Sequence, residues 1–252
     1  MSDNNLNNNL ERIDELRIDE LHINDYVIIQ DPNKFCFGID AVLLSDFAKA
    51  SKSDIVFDIG TGTGIIPILM EAKTDAQKFF AIDIQKESVE IARKSVLLNN
   101  LEEKIEISHL DVKETFTQFK RGSIDVVTSN PPYMNQGGGL INEFDSMAIA
   151  RHEIFCNLDD IVKTASDLLR YKGKFYMVHR PNRLCDIICT LRKHRLEPKT
   201  IRFIQPYENK EPNIVLIESV KDGGAFLKFL PNLVVYNNDR SYSDEINKIY
   251  GR

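Results

Sequence analysis

From Asp54 onward the sequence alternates between apolar runs, typical of buried β-strands, and amphipathic segments, typical of helices. The predicted strands are Ile55–Ile59, Phe79–Ile84, Ile105–Ser108, Ile124–Thr128 and Lys174–His179. The predicted helices between them are Ile65–Ala72, Lys86–Asn99, Val112–Phe119 and Leu158–Tyr171. This alternation predicts a doubly wound, mostly parallel α/β sheet with helices on both faces.

Further elements are predicted on either side of this region. After a helix at Asn182–His194, the strands Thr200–Gln205 and Ile214–Val220 follow, and their connection is too short for a crossover helix. We therefore expect this C-terminal pair to be antiparallel. Before the region, Tyr26–Gln30 and Phe35–Phe37 predict a hairpin, and Ile39–Ala50 predicts a helix.

The chain of 252 residues is predicted to be one domain. Residues 1–9 are Asn-rich and expected to be disordered. Residues 10–252 divide into an N-terminal extension (10–53), a Rossmann-like core (54–220) and a C-terminal edge element (221–252). No apolar run could span a membrane, and no signal peptide is recognisable, which predicts a cytoplasmic protein. The four cysteines lack paired CxxC spacing, so no metal site is predicted.

A glycine-rich turn follows the first strand of the alternating region. It contains Gly60, Gly62 and Gly64, and the dinucleotide fingerprint would need a glycine where Ile65 stands. Asp58 precedes the turn, and its carboxylate would repel a pyrophosphate but could contact a cationic amino-acid group. These features disfavour an NAD-dependent oxidoreductase.

Two more acids follow the next strands. Asp83 lies at the exit of the second strand, from which an acid can hydrogen-bond ribose hydroxyls. Asp111 follows the third strand; it is equally suited to accept from an adenine amino group or to cap the next helix, and the two roles are compatible. A ribose contact, a carboxylate for an amino group and no phosphate cradle together predict S-adenosylmethionine as cofactor.

The exit of the strand Ile124–Thr128 carries Ser129, Asn130, Pro131, Pro132 and Tyr133. The prolines fix φ and offer no N–H donors, so the segment becomes a rigid rim of acceptors beside an aromatic ring. Such a rim suits a planar substrate with an amino group. If the strand order is 3-2-1-4-5, this rim and the glycine turn flank the point where the strand order reverses, and ligands bind at such a point.

These motifs resemble those of class I S-adenosylmethionine-dependent methyltransferases of the Asn-Pro-Pro-Tyr type, which have a seven-stranded Rossmann-like sheet. Over residues 10–245 the chain is similar to the bacterial tRNA(Val) adenine-N6 methyltransferase family. The segments that carry this closer similarity are Phe35–Leu44, Asp58–Pro67, Ala150–Glu153 and Leu233–Tyr236. The resemblance implies methylation of the adenosine just 3′ of the anticodon, with Gly38 and Asp40 bordering the cofactor pocket and Asn130–Tyr133 holding the base.

The same chemistry on another acceptor remains an alternative, either a guanine amine in ribosomal RNA or a glutamine amide in a protein. A non-catalytic RNA-binding protein is a further alternative, but no motif position is degraded. The sequence leaves the oligomeric state open, with a monomer favoured.

The RNA surface is the least constrained part of the prediction. The net charge is −6, and basic residues are concentrated between 170 and 202. A basic face on an acidic protein is one way to bind phosphates; the other interpretation is a solvated basic helix face. The candidate RNA-binding residues are Arg151, His152, Arg180, Arg183, Arg192, Lys193 and Arg195.

Overall fold

In a computed structural model, which describes residues 16–32, 36–131 and 157–252, the core is a mostly parallel sheet. Its parallel strands are β3 (Ile55–Ile59), β4 (Lys78–Asp83), β5 (Ile105–His109), β6 (Ile124–Ser129) and β7 (Leu169–His179). They lie in the order β5-β4-β3-β6-β7, which is the predicted 3-2-1-4-5 arrangement. The strand order reverses between β3 and β6, and a ligand crevice is expected at the carboxyl ends of these strands.

The C-terminal strands extend the sheet beyond β7. There β9 (Ile214–Lys221) pairs antiparallel with both β7 and β8 (Leu196–Gln205), which confirms the predicted antiparallel pair. Two short strands, β10 (Lys228–Phe229) and β11 (Leu233–Val234), pair parallel with β8 and form the sheet edge.

Helices cover both faces of the sheet. They are α1 (Ile39–Phe47), α2 (Ile65–Lys73), α3 (Lys86–Leu98), α4 (Leu158–Leu168), α5 (Leu184–Lys193) and α6 (Asp244–Ile249). Alternate strand residues feed two hydrophobic cores: Val56 and Val126 pack with α1 to α3, and Phe57 and Val127 pack with α4 and α5. This division follows from the two-residue period of a strand.

Several predicted elements differ from the observed ones. The predicted helix Val112–Phe119 is a 3-10 helix, Val112–Thr117, and the predicted helix Leu158–Tyr171 ends at Leu168, where β7 begins. Pairing with β6 already holds Leu169 in the sheet, and this tertiary contact overrides the helical pattern. The segment Pro181–Arg183 is a second 3-10 turn that precedes α5.

The N-terminal hairpin is present, but the strand that pairs with β2 is not the predicted one. Strand β2 (Val27–Gln30) pairs antiparallel with β1 (Arg17–Glu20), and Phe37 is not in a strand. Residues 33–35 lie outside the described residues. The β1 segment has polar residues on both sides of Ile18 and therefore has no clear strand pattern; its backbone hydrogen bonds to β2 decide its structure. The domain limits proposed from the sequence stay predictions.

The hairpin is attached to α3 by side-chain hydrogen bonds to the backbone of β2. Asn99 accepts from the Val27 N–H at 2.8 Å and donates to the Val27 carbonyl at 2.7 Å. The Ser95 hydroxyl accepts from the Ile29 N–H at 3.0 Å. Asn99 thus supplies to the edge of β2 the two hydrogen bonds that a neighbouring strand would make.

Asn99→Ala should lower the free energy of unfolding by about 1–3 kcal/mol, because it leaves two half-buried backbone groups of Val27 without partners. Urea unfolding measures this change, with Lys94→Ala on the exposed face of the same helix as the matched control. Equal stability of the two variants would show that the hairpin is not held by Asn99.

Candidate active site

The carboxyl ends of β3 and β6 are joined directly by side-chain hydrogen bonds. Ser129 lies opposite Ile59 in the parallel register, and its hydroxyl donates to the Ile59 carbonyl at 2.9 Å. One pair earlier, the Thr128 hydroxyl donates to Oδ1 of Asp58 at 2.6 Å. The glycine turn and Asn130 therefore leave neighbouring strands from a rigid base.

Asp58 is a carboxyl group buried in the middle of the sheet. It is 1 % exposed, and among the described residues its Oδ2 has no hydrogen-bond partner. Burial raises the pKa of Asp58 to about 6, while Thr128 and Thr61 lower it and the charge of Asp83 raises it further. The Thr61 hydroxyl lies near enough to have this effect, but it makes no hydrogen bond of normal geometry with a described residue. One oxygen of Asp58 is thus left for a donor from a ligand.

The glycine turn has the backbone that the sequence predicts. Gly60, Gly62 and Gly64 have φ values of 74°, 56° and 84°, in the left-handed region that favours glycine. A Cβ at Gly64 would also come within 3.2 Å of Ala92 Cβ in α3, so this glycine allows close helix packing. A Cβ at Gly60 or Gly62 would meet no atom within 4 Å, so both glycines border open space.

Four of the five N–H groups of residues 60–64 donate to acceptors inside the protein. Those of Gly60 and Thr61 donate to the Ile82 carbonyl, each at 3.0 Å, and that of Gly64 donates to the Thr61 carbonyl. The Gly62 N–H donates to Oδ2 of Asp83 at 2.8 Å. A phosphate cradle needs free N–H groups that point at the ligand. The turn is therefore built for a ligand that lies against it without a phosphate.

Asp83 is fixed at the end of β4. It is 6 % exposed; its Oδ1 accepts from the Gln85 N–H at 2.8 Å, and its Oδ2 holds Gly62. A carboxylate has about four acceptor sites, so each oxygen can accept one more hydrogen bond. Asp83 can thus hold the turn and accept from hydroxyl groups at the same time.

Asp111 caps the 3-10 helix that follows β5. Its Oδ1 accepts from the Lys113 N–H at 2.9 Å, which is the capping role considered from the sequence. Its carboxylate is half-buried, and a contact with an adenine amino group stays a prediction.

Gly38 and Asp40 lie at the start of α1. A Cβ on Gly38 would come 2.6 Å from Oδ1 of Asp40, so a side chain at this position would displace the Asp40 carboxylate. Asp46, near the end of α1, pairs with Lys73 at the end of α2 at 3.5 Å. Because their ends meet, α1 and α2 run in the same direction, and the start of α1 lies at the glycine-turn end of the sheet.

Asn130 is half-buried and Pro131 is buried at the exit of β6, as predicted. Four other predicted site residues lie outside the described residues: Pro132, Tyr133, Arg151 and His152.

His179 is a further polar residue near this site that was not predicted from the sequence. It ends β7 beside β6. Its Nδ1 accepts from the Arg180 N–H at 2.8 Å, and burial, followed by the charge of Arg183, lowers the pKa of His179 to about 4. The sequence feature that could have identified His179 as a candidate site residue is its position at the exit of a predicted strand.

The five described candidate RNA-binding residues lie in two groups at opposite ends of α5. Arg180 and Arg183 precede α5, whereas Arg192, Lys193 and Arg195 lie at its other end, about 15 Å away for a ten-residue helix. Most of these cations are paired with acids. The pairs are Arg183 with Asp186, Arg192 with Glu197, Lys193 with Asp159, and Arg195 with Asp222. The five residues therefore do not form one continuous phosphate-binding surface.

No helix within residues 16–32, 36–131 and 157–252 is long and apolar enough to cross a membrane. Over the same residues, no group of three or more His, Cys, Asp or Glu side chains is arranged to hold a metal ion.

Two curated relatives share most of their length with this chain. A protein from Phocaeicola vulgatus, named tRNA1(Val) (adenine(37)-N6)-methyltransferase, is 29% identical over 192 residues, covering 76% of this chain and 80% of the relative. A protein of the same name from Histophilus somni is 23% identical over 238 residues, covering 92% of this chain and 93% of the relative.

A solved structure and a family model agree with the observed architecture. The crystal structure of a predicted O-methyltransferase from Agrobacterium tumefaciens has a TM-score of 0.68 at 21% identity, covering 84% of this chain and 95% of that chain. This likeness confirms the predicted Rossmann-like fold. The family model of the methyltransferase small domain matches residues 26–194, and the chain therefore belongs to the methyltransferase small domain family.

Proposed function

We propose that this protein transfers a methyl group from S-adenosylmethionine to the exocyclic amine of adenine in tRNA, at the adenosine 3′ of the anticodon of a valine tRNA. The observation that carries the proposal is the juxtaposition of Asp58, with one unused oxygen, and Asn130 at the neighbouring exits of β3 and β6. The names of the two curated relatives support the choice of acceptor.

The residues at the crevice fit the cofactor. The unpartnered Oδ2 of Asp58 suits a cationic amino group, the remaining acceptor sites of Asp83 suit ribose hydroxyls, and Asp111 suits an adenine amine. Open space beside Gly60 and Gly62 leaves room for the ligand's body. When bound, S-adenosylmethionine supplies an electrophilic methyl group on a sulfonium centre.

Asn130 and Pro131 provide the acceptors for the target amine. The lone pair of an adenine amine is delocalised into its ring, which makes the nitrogen a poor nucleophile. If the Asn130 side-chain oxygen and the Pro131 carbonyl each accept one N–H, the nitrogen is drawn toward tetrahedral geometry and its lone pair is directed into the crevice. Tyr133 is proposed to stack on the extruded base, and extrusion costs least in a single-stranded loop.

The proton lost from the methylated nitrogen needs no dedicated base. A methylated ammonium on an aromatic ring is acidic enough to release its proton to water. The nearby imidazole of His179 is buried and neutral at pH 7, and its Nδ1 is occupied by the Arg180 N–H. Positioning supplies much of the rate, because good orientation is equivalent to effective molarities of about 10^5 M or more.

Contact with RNA at this end of the sheet falls to Arg180 and Arg183, which follow β7 directly. Arg151 and His152 join them as proposed contacts from outside the described residues. Arg192, Lys193 and Arg195 lie at the far end of α5 and could reach only a more distant part of a large RNA.

The direct test uses purified protein and cofactor carrying a labelled methyl group, with separate tRNA, ribosomal RNA and protein fractions. We expect label in N6-methyladenine of the tRNA fraction, at the position 3′ of the anticodon. Label in a guanine of ribosomal RNA or in a protein glutamine would overturn the acceptor but keep the chemistry, whereas no label in any fraction would overturn both.

Asn130→Ala should lower the transfer rate at least about 100-fold, which corresponds to about 2.7 kcal/mol, because the amine loses an acceptor that orients it. Cofactor affinity, measured by calorimetry, should stay near the wild-type value. Asn209→Ala, an exposed residue of the β8–β9 loop, is the matched control. Full activity of Asn130→Ala would remove this residue from the mechanism.

Asp83→Ala should weaken cofactor binding about tenfold or more, because it removes a charged acceptor for ribose hydroxyls. The change also frees the Gly62 and Gln85 N–H groups, so a second measurement separates the two effects. Wild-type protein should prefer S-adenosylhomocysteine over an analogue without ribose hydroxyls, and the variant should have lost most of this preference.

Asp75→Ala, an exposed acid in the loop before β4, controls for a general loss of negative charge. If Asp83→Ala keeps the full preference for the ribose hydroxyls, another residue makes that contact.

A further inference from the structure

A second cavity lies away from the crevice, on the sheet face covered by α1. Its volume is about 390 Å³, which is within the range of small-molecule sites. Its apolar walls come from α1, β9, the C-terminal edge and α6, and include Leu43, Phe47, Leu216, Leu230 and Ile249. Its lining residues are different from those proposed to hold the cofactor and the target base.

The polar floor of the cavity belongs to a row of side chains that crosses the sheet. Register pairs place Asp58 opposite Thr128, Thr128 opposite Tyr176, Tyr176 opposite Glu218, and Glu218 opposite Thr200. Residues paired in this way point to the same face of a sheet. Glu218 is three strands from Asp58, or about 14 Å at normal strand spacing, so the cavity is separate from the crevice.

Glu218 is the acceptor at the cavity floor. Its Oε2 receives the Thr200 hydroxyl at 2.7 Å, and its Oε1 receives the Tyr176 hydroxyl at 3.4 Å and lies 3.5 Å from Lys174 Nζ. Burial, and next the charge of Glu218, raise the pKa of Tyr176, so the phenol keeps its proton and donates. The Glu218 side chain is 19% exposed, and Oε2, with one donor among the described residues, can accept another N–H from a ligand.

The rim of the cavity is basic. Among the described lining residues, basic side chains outnumber acidic ones by two: Lys49, Lys174, Arg202 and Lys228 against Asp46 and Glu218. Arg202 is paired with Glu245, and Lys174 lies near Glu218. Lys228 is exposed, and its ammonium group makes no ion pair or hydrogen bond within the described residues, so this group is free to meet an anion.

We infer that this cavity is a second ligand site, which binds a nucleotide whose base carries an amino group. The amino group donates to Glu218, the flat base lies between the apolar walls, and the phosphate meets Lys228 and Lys49 at the rim. Two sources supply this chemistry, a free nucleoside monophosphate or one nucleotide of an RNA chain. The inference does not depend on the proposed function, because no residue of the cavity takes part in methyl transfer.

The test is calorimetric titration with AMP, GMP, CMP and UMP, in saturating S-adenosylhomocysteine so that the cofactor crevice is filled. The three nucleotides with an amino group should bind with Kd below about 1 mM, and UMP at least about fivefold more weakly. UMP is disfavoured because its only ring donor on that edge is N3–H, and the carbonyl oxygens on both sides of it repel an acceptor-only carboxylate.

Two variants locate the binding in this cavity. Lys228→Ala should weaken all four nucleotides about fivefold or more, and Lys104→Ala, an equally exposed lysine elsewhere, should change none. Glu218→Gln should reduce the preference over UMP, because an amide can also donate. Absence of binding, or equal affinities in Lys228→Ala and wild type, would overturn the inference.

A competition experiment with tRNA distinguishes a free nucleotide from a nucleotide of an RNA chain as the natural ligand. If unlabelled tRNA displaces AMP from the wild-type protein, the ligand is a nucleotide of the RNA. If tRNA leaves AMP binding unchanged, the ligand is a free nucleotide. Both outcomes require that AMP binds at the cavity, so each supports the site.

Discussion

The hydrogen bond from Thr128 to Asp58 places a carboxyl group in the interior of the sheet, at the point where the strand order reverses. A buried carboxylate is costly unless its oxygens are paired, and Oδ2 of Asp58 has no partner among the described residues. The fold tolerates this group because β3 and β6 are held together on both sides, by apolar packing and by the Ser129 hydroxyl. A bound cationic group would complete what the protein alone leaves unsatisfied.

The glycine turn gives the complementary half of the site. Four of its five N–H groups are satisfied by Ile82, Thr61 and Asp83, which hold the turn in its conformation before any ligand binds. A preorganised surface loses little entropy on binding. The turn also selects between ligands. Because Asp58 is negatively charged and most N–H groups of the turn donate within the protein, a cationic ligand without phosphate is favoured over a dinucleotide. The selectivity of the turn thus arises because most of its N–H groups donate to oxygen atoms of the protein and are not directed at a ligand.

The sequence predicted the central sheet well because strand-like and helix-like periods differ and because right-handed crossovers restrict the topology. It also located Asp58, Asp83 and Asn130 at strand exits, since motif spacing alone defines those positions. It failed for the partner of β2, because the pairing of short edge strands depends on tertiary contacts such as those of Asn99. It could not show how the candidate RNA-binding cations are arranged, because counting arginines in a segment does not reveal that a helix separates them or that acids pair with them; their contact with RNA stays a prediction.

Near pH 6 the fold keeps Asp58 partly uncharged, and we expect this carboxyl group to become fully charged when the cofactor binds. A folded-state pKa of about 6, against about 3.8 in an unfolded chain, stabilises the fold below the unfolded value and loses about 3 kcal/mol as pH rises through 6. The most direct measurement is calorimetry of cofactor binding near pH 6 in two buffers of different ionisation enthalpy. We predict that wild-type protein releases about half a proton at pH 6 and almost none at pH 7, where Asp58 is already charged and an α-amino group is still protonated, and that Asp58→Asn binds weakly without release. Cofactor binding without proton release at pH 6, or with the same release in Asp58→Asn, would contradict the account.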